Sequence, residues 1–487
     1  MVSNNHTPSS KMSYLNCLPS TEETCEDAQV IEIHPKYSGI TDDQLARILH
    51  LCPNLQRLSL AGVRDLSDRS LVIIAQTTTD LKYIDISGCK EVTDIGVHEL
   101  ASQANRLEVV KLNGIVGLTD PSLIALVRSL PRLAELDATD LPLLTSHSVR
   151  DIWTFGQNLK KVRLGRCGHI DDKGFPIRTD TPLSPVPSVT NSAAHAAVIP
   201  SPVGRGQASS ASLSNIGSEG GLYHAPDPEA GRISSWLDAL PPLILPGHRV
   251  LSQLRTLDLT ECTHITDSAV AGIVAYTPHL QHIHLAGCVL LTNASLSQLT
   301  LLGRHLETLT ISYASTITDA AILDLVRACP NLAVIDVSYC TLLSDLSVLE
   351  LAILPHLRHL SIAGLPLMTD ISLLFLAEHG VHVSHLQLAH CRGIALNTIH
   401  ILIRRLQHLN YLSTTGVRSM TRTGIWRFSE KPPSKYDSHT AGAYRVFRGS
   451  NIAALRQFLD KEELRRREAE NKNIPFVPRG DDSMDLY

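Results

Sequence analysis

The sequence predicts an α/β solenoid of stacked strand–helix units, and three observations lead to that prediction. A short Leu-x-x-Leu-x-Leu pattern recurs at a spacing of 26 residues. An Asp and then apolar residues at helical spacing follow most copies. Apolar residues make up 43% of the 487 residues and aromatic residues 4%, so aliphatic side chains must fill the core. A strand plus a helix of this length matches the leucine-rich repeat, whose units share one core by stacking.

Twelve positions begin the pattern. They are Leu55, Leu81, Leu107, Leu133, Leu159, Leu254, Leu280, Leu306, Leu332, Leu357, Val383 and Leu409. A weaker first unit begins near Val30, and an insertion of about 69 residues separates Leu159 from Leu254. We therefore predict a leucine-rich-repeat solenoid of about 12–13 units over residues 30–425. Its parallel strands should line the concave face of a curved horseshoe, with helices on the convex face.

The helix of each unit should begin at a recurrent Thr-Asp pair. In residues 254–279, Thr266 or Asp267 would cap or begin the helix, because both side chains accept hydrogen bonds from free amides at its positive end. The equivalent Asp residues are Asp68, Asp94, Asp120, Asp172, Asp319, Asp345 and Asp370.

Six cysteines share one repeat position after the strand. They are Cys89, Cys167, Cys262, Cys288, Cys340 and Cys391, and apolar residues such as Val63 and Ala314 hold the same position elsewhere. The position therefore requires a small buried hydrophobe. Parallel side chains in neighbouring units suit a disulfide poorly, and without a Cys-x-x-Cys pair we expect no zinc site.

Two segments lack the repeat pattern before the C-terminus. We expect residues 1–29 and the Pro/Ser-rich insertion 176–231 to be disordered. The insertion lacks the periodicity and the bulky apolar residues that offset ordering entropy. Residues 233–246 should return the chain to the missing helix of the interrupted unit.

Proline follows Thr181, Ser184 and Ser201 in the insertion, so proline-directed phosphorylation is one interpretation of them. An unmodified linker is the interpretation that we favour.

The repeat ends near Thr421. Residues 426–471, with a helix over 451–471, should cover the last apolar face of the solenoid, and residues 472–487 should be a disordered tail.

The cysteine-containing form Leu-x-x-Leu-x-Leu-x-x-Cys-x-x-Ile-Thr-Asp resembles the repeats of F-box/leucine-rich-repeat proteins over most of residues 30–425. The stretch PPSKYDSHTAGAYRVFRGSNIAALRQFL resembles the C-terminal cap of the fungal glucose-repression-resistance type. This resemblance implies a substrate receptor of a cullin-type ubiquitin ligase. Its concave face would hold a protein, often a phosphorylated one, and an F-box would bind the ligase adaptor.

The sequence departs from that family at its beginning. Leu18-Pro19 starts no apolar helical run of the F-box kind, so we expect the box to be absent or encoded upstream. The alternative function is an F-box-less scaffold or inhibitor that resembles the antagonist-of-mitotic-exit family. A regulator of a GTPase is a weaker alternative, because that class typically has a longer unit.

Residues between the buried leucines of each strand should point to the concave face and contact the partner. The candidates are Arg57, Tyr83, Asp85, Lys111, Asp137, Lys161, Arg163, Asp258, His282, His284, Thr310, Asp336, His359 and His385. We expect Arg57, Lys111, Lys161 and Arg163 to contact an acidic or phosphorylated partner. Intervening carboxylates leave a salt-bridged, solvated surface as the alternative interpretation.

Other function classes have little support in the sequence. A net charge of −5 disfavours a generic nucleic-acid binder, and no apolar run is long enough to span a membrane. The histidines lack a completing Cys or carboxylate cluster, so we expect no metal and no other cofactor. No catalytic motif is present, so we expect a non-catalytic protein. The resemblance implies that partner subunits transfer the ubiquitin, and we expect a cytoplasmic or nuclear location.

Overall fold

The computed structural model describes residues 13–15, 28–33, 40–178, 240–247, 249–434, 436 and 438–476. The chain divides into two units, Met1–Arg178 with Pro241–Tyr487, and Thr179–Leu240. Apart from Leu240, the second unit lies outside the described residues, so the following description concerns the first unit.

One sheet of fifteen strands in chain order runs through the described residues, parallel from β1 to β14 and antiparallel between β14 and β15. The strands are β1 Ser13–Leu15, β2 Ala28–Glu32, β3 Arg57–Ser59, β4 Tyr83–Asp85, β5 Val109–Lys111, β6 Glu135–Asp137, β7 Lys161–Arg163, β8 Thr256–Asp258, β9 His282–His284, β10 Thr308–Thr310, β11 Val334–Asp336, β12 His359–Ser361, β13 His385–Gln387, β14 Tyr411–Ser413 and β15 Val446–Arg448.

Helices connect the strands. They are α1 Asp42–Leu49, α2 Asp68–Thr77, α3 Asp94–Gln103, α4 Asp120–Ser129, α5 Ser146–Phe155, α6 Asp267–Tyr276, α7 Asn293–Leu299, α8 Asp319–Ala328, α9 Asp345–Ala352, α10 Asp370–His379, α11 Leu396–Arg405, α12 Thr423–Trp426, α13 Ser438–Ala443 and α14 Ser450–Asn471. Short 3-10 helices lie at Asp172–Gly174, Thr300–His305 and Arg418–Met420. The alternation confirms the predicted α/β leucine-rich-repeat solenoid.

The core lies between the sheet and the helices. The middle residue of each repeat strand from β3 to β14, such as Leu58 or Leu257, is buried in one continuous apolar cluster. The first and third residues of a strand therefore face away from the helices.

The six cysteines of the shared position are buried in this core as free thiols. Each Sγ lies 3.2–3.3 Å from a backbone carbonyl oxygen of the preceding unit. The Cys262 thiol, for example, donates to Leu164 O. The small apolar position therefore also carries a weak hydrogen bond between units.

The recurrent Asp links successive units. Thr266 is the N-cap of α6, and Asp267 is its first residue. The Asp carboxylate accepts a hydrogen bond from a backbone N–H of the next unit at 2.8–2.9 Å in eight units. We call this series the Asp ladder; its carboxylates belong to Asp68, Asp94, Asp120, Asp172, Asp267, Asp319, Asp345 and Asp370. The Asp thus supports the helix start of its neighbour as well as its own.

A left-handed residue follows each strand from β3 to β14, where the chain turns toward its helix. Six of these turns have Gly, at Gly62, Gly88, Gly114, Gly287, Gly364 and Gly416. The other six have larger residues with φ between 58° and 68°, at Asp140, Arg166, Glu261, Tyr313, Tyr339 and His390. A non-Gly residue in this region costs about 1 kcal/mol or more, because Cβ crowds the backbone.

The interrupted unit differs from the prediction. The chain does not leave the solenoid after Phe175, because Ile177 N–H donates to Leu243 O at 2.9 Å. The predicted return to a helix is wrong for the described residues 240–247, which contain no helix and are joined to the unit by an isolated bridge between Leu243 and Pro176. Pro241, Pro242 and Pro246 remove backbone donors there, which opposes a helix. Residues 179–239 of the predicted disordered insertion lie outside the described residues.

The N-terminal boundary also needs correction. The segment predicted to be disordered contributes β1, which pairs in parallel with β2, and β2 begins at Ala28 rather than near Val30. The Leu-x-x-Leu-x-Leu pattern is incomplete here, but Ala28, Ile31 and Ile33 are buried in the same apolar core as the later units. Residues 1–12 and 16–27 lie outside the described residues.

The last unit is covered by a C-terminal cap. Strand β15 pairs with β14, and α14 buries Ile452, Leu455, Phe458 and Leu459. The buried Arg422 guanidinium donates to Glu462 at 2.8 Å, and Arg404 Nε of α11 lies 3.4 Å from Asp460 Oδ1, so ion pairs fasten α14 to the solenoid. Residues 477–487 lie outside the described residues.

Candidate functional site

The face of the sheet opposite the helices is the candidate site, and we call it the strand face. All fourteen predicted partner-contact residues occupy the first or third position of a strand, so all of them lie on this face. Tyr83 is buried there and the others are half-buried. In-register pairing of successive strands places equivalent residues side by side, which forms rows of side chains across the sheet.

Tyr83 is the centre of the first charged cluster. The Arg57 guanidinium lies 3.6 Å from the centre of its ring, and Lys111 Nζ lies 5.3 Å from it on the neighbouring strand. Arg57 Nε also pairs with Glu32 Oε1 at 3.2 Å. Burial lowers the pKa of Lys111, but a hydrogen bond from it to Tyr83 and the charges of Asp85 and Asp137 outweigh burial and raise that pKa.

The remaining two candidate cations also have acidic neighbours. Lys161 Nζ lies 3.5 Å from Glu135 Oε2, and Arg163 Nη1 lies 3.3 Å from Asp137 Oδ2. Asp137 therefore lies near both Lys111 and Arg163. Each of the four cations on β3 to β7 thus has at least one carboxylate in its immediate surroundings.

His282 and His284 point to the same face of β9, as predicted. Their Nδ1 atoms are hydrogen-bonded to the hydroxyls of Thr308 and Thr310, at 2.9 and 3.2 Å. Burial lowers the pKa of His284, and the nearby Arg163 and His282 lower it further against the opposing effect of Asp258. Among the residues that the structure describes, no three His, Cys, Asp or Glu side chains converge on one point.

Three ring side chains and an arginine form a row across the last four strands. The rings of His359 and His385 lie 4.0 Å apart, and the rings of His385 and Tyr411 lie 5.7 Å apart. The Arg448 guanidinium lies 5.1 Å from the centre of the Tyr411 ring and continues the row. These four residues and Asp336 line a groove of about 670 Å³. Burial, His385 and Arg358 lower the pKa of His359, which favours a neutral ring there.

A second aromatic row lies at the turns that follow the strands. The rings of Tyr313 and Tyr339 stack at 4.7 Å with an interplanar angle of 9°. The Tyr339 ring lies over Gly364, where a Cβ would come within 2.4 Å of Tyr339 Cδ1. The centre of the Tyr339 ring also lies 6.3 Å from the centre of the His390 ring, which belongs to the second unit after it. Burial, Tyr313 and Asp336 all raise the pKa of the Tyr339 hydroxyl.

Several residues of the face were not among the sequence candidates. Glu32 and Arg448 complete an ion pair and the aromatic row, and Tyr313 and Tyr339 form the row at the turns. The sequence already contains a signal for the two Tyr residues, because each occupies a position that holds Gly in half of the units. Arg448 has no such signal, because it reaches the face from an antiparallel strand outside the repeat. Thr181, Ser184 and Ser201 lie outside the described residues.

Comparisons with known proteins agree with the fold. No family model matches the chain. The crystal structure of the Rad7–Elc1 complex from yeast is similar, with a TM-score of 0.50 and 17% identity over 74% of this chain and 76% of that one. An internalin, InlF, from Listeria monocytogenes has a TM-score of 0.41 and 14% identity, covering 81% and 82% of the two chains. TLR13 in complex with ssRNA13 has a TM-score of 0.39 and 12% identity, covering 82% and 42%.

The helices of the described residues include none with the length and apolar character needed to cross a bilayer.

Proposed function

We propose that the chain is a protein-recognition subunit related to cullin-type ubiquitin ligases, and that its strand face holds the target protein. The observation that carries this proposal is the strand face itself, where polar and aromatic side chains of successive strands form continuous rows. Protein targets suit such a surface, because many moderate contacts spread over several units add up to a specific interface. Partner subunits would supply the chemistry of ubiquitin transfer.

Two further points support the proposal. The cysteine-containing repeats and the C-terminal cap resemble those of F-box/leucine-rich-repeat substrate receptors. The fold is also similar to that of a chain in the Rad7–Elc1 complex. We propose a cytoplasmic or nuclear setting for this chain and a dependence on a cullin adaptor.

Arg57, Lys111, Lys161 and Arg163 are the proposed contacts for an acidic or phosphorylated segment of the target. A phosphate has to compete with the internal carboxylates, because Glu32, Glu135 and Asp137 already lie within about 3.5 Å of three of these cations. It can do so because it has more negative charge and more acceptor oxygens than a carboxylate. We therefore expect the protein to bind a target peptide more tightly with a doubly charged phosphate than with Glu at the same position.

The experiment is affinity purification of the native protein from its own cells, with mass spectrometry of the proteins that copurify. Wild type is compared with the triple variant Lys111→Glu, Lys161→Glu and Arg163→Glu, after circular dichroism has established that the variant is folded. We expect a cullin, its adaptor and at least one target with the wild type, and loss of the target alone with the variant. If a folded variant retained every target, we would conclude that these cations are not part of the binding site.

The second candidate function is a stand-alone scaffold or inhibitor without ligase partners. A specific observation favours it: Ser13–Leu15 and Ala28–Glu32 are strands of the sheet, so these described residues do not belong to a helical box. The same purification separates the two functions. Targets that copurify without cullin or adaptor would favour the scaffold.

A further inference from the structure

The groove on the strand face crosses six neighbouring strands. Its lining begins with Thr310 on β10 and ends with Arg448 on β15, and each strand between them contributes at least one residue. Because neighbouring strands lie about 4.8 Å apart, the groove extends about 24 Å across the sheet. A volume of about 670 Å³ over that length is long and narrow, which suits an extended chain segment better than a compact small molecule.

The groove has one fixed charge of each sign, and the two lie toward opposite ends. Among the described lining residues, Asp336 of β11 is the one carboxylate and Arg448 of β15 is the one guanidinium. Four strand steps separate them, which corresponds to about 19 Å across the sheet. An extended peptide rises about 3.3 Å per residue, so two of its side chains about six positions apart reach both charges. An even spacing also puts the two side chains on the same side of the peptide.

Both charged groups can take a further partner. Ser338 N–H donates to Asp336 Oδ1 at 3.0 Å, and in the described part of the chain it is the one donor to this carboxylate. The Arg448 side chain is 60% exposed, and its Nε lies 3.6 Å from Glu430 Oε2. A guanidinium has five N–H donors, so Arg448 can bind a second carboxylate beside Glu430.

The part of the groove between the two charges is polar and neutral. The pKa of His359 is lowered by burial and by its neighbours, so its ring is uncharged at neutral pH. Ser361, Gln387 and Asn410 also line the groove, and no described residue forms a hydrogen bond with their side chains. Hydroxyl and amide groups can both donate and accept, so these three side chains can bind the N–H and C=O groups of an extended backbone.

We propose that this groove binds an extended segment of the target that has a basic and an acidic residue about six positions apart. The basic side chain pairs with Asp336, the acidic side chain pairs with Arg448, and the neutral polar side chains hold the backbone between them. The proposal rests on the proposed function, because the segment belongs to the target. It adds a second contact region, on the half of the strand face that lacks the four proposed cations.

The test uses the full-length chain and fluorescence anisotropy at pH 7. The spaced probe is a fluorescein-labelled decapeptide of Ser, Thr and Ala with one Lys and one Glu at its second and eighth positions. It is made with both orders of the two charges, because the groove does not fix the direction of the peptide. Three further probes have the Lys and Glu side by side, Gln in place of Lys, or Gln in place of Glu.

The variants Asp336→Asn and Arg448→Gln remove one charge each, and Asn at position 336 keeps an acceptor for Ser338 N–H. Asp140→Asn is the control, because it removes a carboxylate from a turn in the other half of the sheet. A variant that damages the fold weakens all probes alike, whereas the loss of one charge contact affects only the probes that contain its partner.

We expect the better order of the spaced probe to bind wild type about fivefold more tightly than the side-by-side probe. Asp336→Asn should weaken the spaced probe about fivefold and leave the probe without Lys unchanged. Arg448→Gln should likewise weaken the spaced probe and leave the probe without Glu unchanged. The control should bind every probe like wild type.

The absence of saturable binding, equal affinity for the spaced and side-by-side probes, or an equal loss for every probe with Asp336→Asn would overturn the proposed site. Copurification of a target that depends on Lys111, Lys161 and Arg163 would in that case leave the proposed function standing. A wild-type chain that copurifies with no protein would count against the function itself.

Discussion

Asp267, the first residue of α6, accepts two hydrogen bonds from Thr292 of the next unit, one from the backbone N–H at 2.9 Å and one from the hydroxyl at 2.6 Å. Thr292 is in turn the N-cap of α7. One carboxylate therefore fixes the helix start of the following unit. The equivalent carboxylates of the Asp ladder repeat this arrangement along the solenoid.

Replacement of Asp267 by Ala should lower the free energy of unfolding by about 1–3 kcal/mol, because Thr292 N–H loses a charged acceptor. Asp267→Asn should cost less than about 1 kcal/mol. The chain itself contains that arrangement, since Asn293 Oδ1 accepts from Thr318 N–H and Asn293 Nδ2 donates to Thr318 Oγ1, both at 3.0 Å. Urea denaturation of both variants measures the difference, and equal costs for Ala and Asn would contradict the role of the ladder.

The ladder should also make stability depend on acid pH. Burial raises the pKa values of Asp267, Asp319 and Asp345, but hydrogen bonds from Ser and Thr outweigh it and hold them below the ordinary 3.8. Because the folded pKa is lower than the unfolded one, the stabilisation is complete above about pH 4 and is lost as the pH falls through the folded value. Urea midpoints measured from pH 6 down to pH 2.5 should fall more steeply for wild type than for Asp267→Asn. Parallel curves would show that this carboxylate does not contribute.

The contact between Gly272 of α6 and the segment before the insertion allows no larger residue. A Cβ at Gly272 would lie 1.8 Å from Pro176 O, so Gly272→Ala must displace the backbone of the interrupted unit. We expect a loss of about 1–3 kcal/mol in the free energy of unfolding, typical of overpacking. Gly168→Ala is the control, because its Cβ would have no heavy atom within 4 Å. Similar stabilities of the two variants would show that Pro176 is not held against α6.

The buried thiols should resist alkylation in the folded protein. Burial raises the pKa values of Cys89, Cys288 and Cys340 to about 12, so hardly any thiolate is present at pH 8. Treatment with iodoacetamide at pH 8, followed by peptide mapping, should leave these three residues unmodified in buffer and modified in urea. Rapid modification of Cys288 without urea would mean that the core opens locally between units.

The repeat pattern predicted positions within a unit well. The Leu-x-x-Leu-x-Leu spacing predicted that Leu257 faces the core and that Thr256 and Asp258 face away from it, because side chains alternate along a strand. The repeat pattern predicted contacts between units less well. Arg57 pairs with Glu32 because β2 lies in register with β3, and the weak pattern around Val30 did not give that register.

The conformation of the turn residues was also beyond what the repeat pattern could predict. The sequence shows that Tyr339 and Gly364 occupy equivalent positions, but the backbone conformation that they share is visible only in the structure. The Tyr339 ring can lie over the Gly364 turn because that residue has no side chain, and the pattern of one unit does not contain this relationship between two.

The interrupted unit has one more consequence, which concerns chain connectivity. Strand β7 pairs directly with β8, and the Asp172 carboxylate accepts a hydrogen bond from Thr266 N–H across the gap, as at the other steps of the Asp ladder. The two halves of the solenoid therefore meet through noncovalent contacts that do not need the peptide bonds between them. A protease cut between residues 179 and 239 would give two fragments that stay together as one folded particle and separate only in denaturant.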